Sequence, residues 1–168
     1  MLNITQEANV RTAFDVNYRG KLWSQQKARE TIENYFPMIN VLITPIRDAQ
    51  NILGKTGDAN TIAKALADEW GFDTVVITCG ADGAVAHQDD ESVEQPAFET
   101  ETIEPVGTGD AFVGGFLACQ LAETDLETSL EYGAAVAALK RTIPGDVALI
   151  SREETDRVVE GEHTVISR

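Results

Sequence analysis

The stretch that most restricts what this chain can fold into runs from Pro105 to Phe116, Pro-Val-Gly-Thr-Gly-Asp-Ala-Phe-Val-Gly-Gly-Phe. A glycine-flanked turn leads straight into an apolar segment that continues to Ala122. Two glycines around one small residue let successive backbone N–H groups point into a shared concavity. A helix beginning near Asp110 adds unpaired N–H groups and the positive end of its dipole. The product is a seat for a phosphate. Asp110 does not suit a plain anion site, because a carboxylate repels the anion. Two readings stand: an N-cap contributing about 1 kcal/mol, or a base that takes the proton of a hydroxyl attacking phosphorus.

The rest of the chain alternates strand and helix patterns. Thr12–Val16, Ile39–Thr44 and Thr74–Cys79 read as buried strands, and Ala84–His87 as a fourth after the turn Gly80-Ala81-Asp82-Gly83. Ser24 and Asp125 are N-cap residues ahead of helical spacing that runs to about Tyr35 and Lys140, and a further helix is read from Asp58 to Trp70. Such alternation predicts an α/β fold, a mainly parallel sheet with helices on both faces. The acidic run Gln88–Glu94 reads as a solvated loop, His87 as a surface residue, and Val93–Glu104 as short edge strands. Gly54-Lys55-Thr56 invites a P-loop reading that fails, since the glycine required five positions earlier is Ala49. A dinucleotide fingerprint fails likewise, with Phe112 in place of its third glycine.

Composition narrows the functional classes. At 168 residues a single domain, 1–168, is expected. The formal charge of −15 excludes a nucleic-acid partner, which needs a basic face. No apolar run is long enough to span a bilayer. Cys79 and Cys119 fit neither a zinc motif nor a disulfide framework, so buried thiols in a reducing cytoplasm are expected. Lysine occurs five times against 28 acidic residues spread along the chain. That dispersion resembles the surfaces of salt-adapted haloarchaeal proteins, in which salt screens the self-repulsion.

Gly107-Thr108-Gly109-Asp110-Ala111-Phe112 followed by Gly114-Gly115-Phe116 resembles the signature of the ribokinase-like (PfkB) carbohydrate kinases. The resemblance implies that Gly107, Thr108 and Gly109 line the hole for the transferred phosphate and that Asp110 is the catalytic base. It covers Phe14 to Asp146, with motifs in family order. Asp15-x-Asn17-x-Arg19 with Leu22-Trp23, and Leu139 through Asp146, look most like the 2-keto-3-deoxygluconate kinases, haloarchaeal ones especially. By that likeness Asp15, Asn17 and Arg19 meet the substrate, while Thr78, Gly80, Gly83 and Gly145 border the nucleotide. Ile46-Arg47-Asp48-Ala49 stands where many members carry Asn-x-x-Glu, and no metal ligand is assigned.

The implied activity is transfer of a phosphoryl group from ATP, with Mg2+, to the primary hydroxyl of a small sugar acid such as 2-keto-3-deoxygluconate. The chain corresponds to the C-terminal half of such a kinase, ribokinase-like but lacking the N-terminal half and lid, and self-association into a homo-oligomer is expected. The alternatives are a fructokinase- or ribokinase-type kinase of another sugar, or a catalytically silent nucleotide-binding or assembly fragment.

Overall fold

The computed structural model describes residues 2–8 and 10–161. Five strands form one sheet in the order β1-β2-β3-β4-β5: Ala13–Asp15, Val41–Pro45, Thr74–Thr78, Ala84–Gln88 and Glu91–Gln95. β1, β2 and β3 run parallel, with Ala13 opposite Val41 and Val41 opposite Thr74. The links from β3 to β4 and from β4 to β5 are too short for a crossover, so those pairs are antiparallel. The sheet is therefore mixed, its parallel part first. The chain divides into two compact units, Met1–Cys79 with Val85–Ser92, and Gly80–Ala84 with Val93–Arg168.

In the first unit, β2 and β3 are buried along most of their length and read as unbroken apolar runs, as parallel strands covered on both faces should. Helix α1 spans Leu2–Glu7, α2 Gln25–Glu33, α3 Ile46–Asn51 and α4 Ala59–Trp70. Their starts follow from the caps. The Ser24 side chain accepts from the backbone N–H of Lys27, and that of Asp58 accepts from Thr61. Gly71, at φ 74°, ends α4 in the left-handed conformation that disfavours a side chain. Ile32, Ile62 and Leu66 point these helices into a core that also holds Leu42, Val75 and Ile77. Phe36 anchors it, with Trp70 and Phe72 edge-on at ring-centroid distances of 5.0 and 5.1 Å. Burying each of these large side chains contributes about 1.5–3 kcal/mol.

The second unit is built on two helices, α5 (Thr108–Leu121) and α6 (Leu126–Arg141), packed against each other. Asp125 caps α6 by accepting from the N–H of Thr128. A Cβ on Gly115 would come within 2.9 Å of Val136, and one on Gly133 within 3.1 Å of Phe112. The bare glycines therefore set how closely the helices approach. The tail after Ser151 folds as α7 (Arg152–Val159), started by a reciprocal Ser151–Glu154 capping box. Its continuation, 162–168, lies outside the described residues.

Four sequence expectations are corrected. Helix α5 begins at Thr108 with Gly107 as N-cap, so Asp110 sits inside the first turn and caps nothing. The acidic run after Gln88 is no loop. Asp89 and Asp90 both take positive φ, 49° and 64°, the pattern of a type I′ turn, and β5 follows at once. His87 is buried, only 4% exposed, with Nδ1 2.9 Å from Ser92 Oγ. Beyond Gln95 the segment to Glu104 forms no further strand.

Candidate active site

In the second unit, the turn before α5 has the shape its glycines allow. Gly107 adopts φ 80°, ψ 0°, and its carbonyl accepts from Ala111 N at 2.9 Å. Pro105 O takes the N–H of Thr108 at 3.3 Å and its hydroxyl at 2.7 Å, closing the turn from within. The N–H groups of Gly107, Gly109 and Asp110 have no acceptor among the described residues. A Cβ on Gly109 would meet nothing within 4 Å, so that side of the turn is open. Three free donors at the N-terminus of a 14-residue helix are an arrangement suited to an anion. Asp110, exposed and without a side-chain partner among the described residues, stands on the same first turn.

The same unit carries three of the residues expected to border a nucleotide. Gly145 has φ 85° and open space around it, and the neighbouring Asp146 carbonyl lies directly against Gly107. The chain thus brings its expected nucleotide loop to the anion turn. Gly80 opens a short 3-10 turn, Gly80–Asp82, with φ 63° and free space at its Cα. Gly83 is different. At φ 102° a Cβ there would fall 2.0 Å from Gln95 O, so its bare Cα lets the backbone of 95–97 pass.

The first unit presents a second group of polar residues at the ends of its parallel strands, the edge where α/β sheets bind ligands. Asp15 ends β1, and its Oδ1 accepts from Asn17 N at 3.2 Å. Asn17 takes φ 35°, and the exposed Arg19 donates to the carbonyls of Asn17 and Tyr18 at 3.3 and 3.4 Å. Asp48, 3% exposed, pins this loop by accepting from Tyr18 N at 3.3 Å, and it also accepts from Arg47 Nε at 3.3 Å. Thr78 ends β3, half-buried. Lys55, the lysine of the false P-loop, pairs with Glu69 instead.

Sequence reasoning missed Lys140. It is completely buried, and its Nζ donates to the carbonyls of Ile143 at 3.2 Å and Glu104 at 3.4 Å. Its place in the stripe of small residues on α6, three residues after Ala137 and seven after Gly133, was the available signal.

The model of the pfkB family carbohydrate kinases matches residues 1–152. The chain belongs to that family. A 2-dehydro-3-deoxygalactonokinase of Haloferax volcanii is 48% identical over 168 residues, all of this chain and 53% of the relative. A 2-dehydro-3-deoxygluconokinase of Thermoproteus tenax is 32% identical over 158 residues, 91% of this chain and 47% of the relative. The crystal structure of a Thermotoga maritima 2-dehydro-3-deoxygluconokinase superposes with a TM-score of 0.85 at 25% identity, covering 95% of this chain and 53% of that one. The chain therefore spans about half the length of the kinases it matches.

Members of a kinase family handle a nucleotide carried with Mg2+, and the residues here fit the nucleotide better than a dedicated metal cage. The unpaired N–H groups suit phosphate oxygens. Among the described residues no three His, Cys, Asp or Glu side chains gather to hold an ion. Asp48, at the family's Asn-x-x-Glu position, is buried and already engaged. A Mg2+ held chiefly by phosphates and water needs only one or two carboxylates.

Proposed function

We propose that this chain is the phosphoryl-transfer part of an ATP-dependent kinase acting on a 2-dehydro-3-deoxy sugar acid. The galactonate and gluconate relatives support that substrate class. One observation carries the chemistry: an exposed carboxylate without a side-chain partner among the described residues, Asp110, stands at the start of α5 beside three backbone N–H groups that find no acceptor there. In this reading Asp110 takes the proton of the primary hydroxyl as its oxygen bonds to the γ-phosphorus. The bond from that phosphorus to the bridging oxygen breaks, and ADP leaves. The N–H groups of Gly107, Gly109 and Asp110 receive the negative charge spread over the transferring oxygens, and being fixed in advance they need no reorganisation. When bound with the nucleotide, Mg2+ would neutralise part of the charge on its phosphates.

The remaining roles follow the same reading. Thr78, Gly80, Gly83 and Gly145 border the nucleotide, while Asp15, Asn17 and Arg19 contact the sugar acid. A guanidinium beside a carboxylate substrate offers two parallel hydrogen bonds, which suits Arg19. The reading also places the protein in a reducing cytoplasm as a homo-oligomer. Burial raises the Cys119 thiol pKa, which keeps it inert. Leu22, 80% exposed, and Leu149, 76% exposed, offer apolar surface for self-association.

The test is a coupled ADP-release assay on the full-length kinase with ATP and Mg2+. The acceptors are 2-keto-3-deoxygluconate, its galactonate counterpart, fructose and ribose. Turnover of either keto acid well above that of the neutral sugars is expected. Preference for a neutral sugar overturns the substrate class. ATP binding without turnover of any acceptor leaves a silent nucleotide-binding module.

A further inference from the structure

The parallel strands of the first unit have a second end, opposite the one that carries Asp15 and Thr78. There the chain enters β1, β2 and β3 through Arg11-Thr12, Asn40 and Asp73-Thr74. A cleft of about 560 Å³ opens at those entries, with Arg11, Met38, Asn40, Trp70 and Asp73 in its lining. That volume suits a small molecule. At roughly 3.3 Å per residue, the length of β2 puts about 16 Å between the cleft and the far strand ends. A molecule held here does not reach Asp15 or Thr78.

One network fixes the polar side chains of the cleft. Asn40 Oδ1 accepts from Thr12 N at 3.0 Å and from Thr12 Oγ1 at 3.1 Å. Its Nδ2 is thereby turned to Asp73 and donates to Oδ2 at 2.9 Å. Arg11 Nη2 donates to Thr74 Oγ1 at 3.0 Å, and that buried hydroxyl donates in turn to Gln88 at 2.9 Å. The cleft thus holds an anchored guanidinium and an anchored carboxylate, both exposed. Trp70, half-buried and edge-on to Phe36, adds an apolar ring.

These groups select a ligand by its charge. A planar guanidinium takes a carboxylate through two parallel hydrogen bonds. Asp73 repels further negative charge, which counts against a phosphate dianion. An ammonium gains little from an exposed carboxylate. A neutral hydroxyl gives up its water more cheaply and can donate to Asp73. Carbon-bound hydrogens of the same molecule can rest on the Trp70 ring.

We propose that this cleft is a non-catalytic seat for a small hydroxylated monocarboxylic acid, its carboxylate on Arg11 and its hydroxyls on Asp73. The seat does not depend on the kinase reading, although a sugar acid belongs to this chemical class.

The experiment is calorimetric titration of the 168-residue chain with D-gluconate, glucose, L-serine and inorganic phosphate. Gluconate should bind more tightly than the other three. Arg11→Met should weaken it roughly 10–100-fold, the range for a hydrogen bond to a charged group. Arg11→Lys, which keeps the charge without the fork, should lose less. Arg19→Ala, at the other strand ends, should leave gluconate binding unchanged. In a Trp23→Phe background Trp70 is the single tryptophan, and its fluorescence should change as gluconate binds. Should Arg11→Met fail to fold, Arg11→Lys and the Trp70 signal decide. Absence of gluconate binding overturns the seat, as does equal binding of glucose, serine or phosphate. Binding that survives Arg11→Met and is lost in Arg19→Ala also overturns it, while supporting a sugar-acid site beside Asp15. Binding that needs Arg11 in a kinase that turns over neither keto acid removes the proposed substrate and leaves the seat standing.

Discussion

A Cβ atom on Gly107 would stand 2.3 Å from the carbonyl oxygen of Asp146. No side chain is tolerated at that distance, and φ 80° excludes ordinary residues independently. Gly107→Ala should therefore cost at least about 2 kcal/mol, since strain at such a φ adds to the clash. The corresponding fall in melting temperature is about 4–8 °C. Gly109→Ala, with open space at its Cα, is the control and should fall far less. Equal melting temperatures for the two variants would contradict the close approach.

Asp110→Asn separates chemistry from fold. The side chain is exposed and holds no partner among the described residues, so the melting temperature should move little. Sugar phosphorylation by the full-length kinase should drop by about 10²–10⁴-fold, the usual loss on removing a general base. ATP affinity should stay within a few-fold. Turnover near wild type would remove Asp110 from the mechanism.

Arg19→Lys keeps the charge and loses the planar fork. The Michaelis constant for the keto acid should rise about tenfold, on the order of one good charge-assisted hydrogen bond, with the ATP constant less affected. Equal changes in both constants would place Arg19 against the nucleotide phosphates, and no change in either would make it an ordinary surface residue.

Asp125 links fold stability to pH. Its carboxyl pKa is held below the ordinary aspartate range by the hydrogen bond from the Thr128 backbone N–H and by the Thr128 hydroxyl. A depressed folded pKa means that the ionised form stabilises the native state at neutral pH. That contribution is present above the unfolded pKa and is lost as the pH falls through the folded one. Asp125→Asn keeps a capping oxygen without the charge. The melting-temperature gap between wild type and this variant should narrow steadily below the usual carboxylate range. A gap independent of pH would mean that the cap acts without its charge.

Potassium chloride should raise the melting temperature up to molar concentrations, because 28 acidic and 13 basic side chains leave −15 on one small fold. Unfolding is followed by circular dichroism across a salt series. A flat or falling curve would assign the acidity to something other than salt adaptation.

What could be read ahead of the structure was local. Ser24, Asp58 and Asp125 announce their helices because each cap bonds a backbone N–H three residues away. Gly107 to Asp110 announces its turn through its glycines, Gly107 taking the positive φ of 80° that they allow. The Asp89-Asp90 hairpin was missed because aspartate pairs lack the glycine that usually marks a type I′ turn. His87 looked exposed beside so much acidity, yet the strand it belongs to is buried from Ala84 onward. Lys140 was harder, since one of its carbonyls lies 36 residues earlier in the chain. Spacing within α6 says nothing about that segment.

The contact between α5 and α6 has an evolutionary consequence. Gly133 lies where any larger residue would strike the ring of Phe112, and Gly115 where it would strike Val136. Enlarging one side is compatible with the fold only if the opposing residue shrinks. Gly133 with Phe112, and Gly115 with Val136, should therefore have changed in tandem or remained as they are among relatives that keep this helix pair. The helix that carries Asp110 would then have drifted in sequence only as fast as its partner allowed.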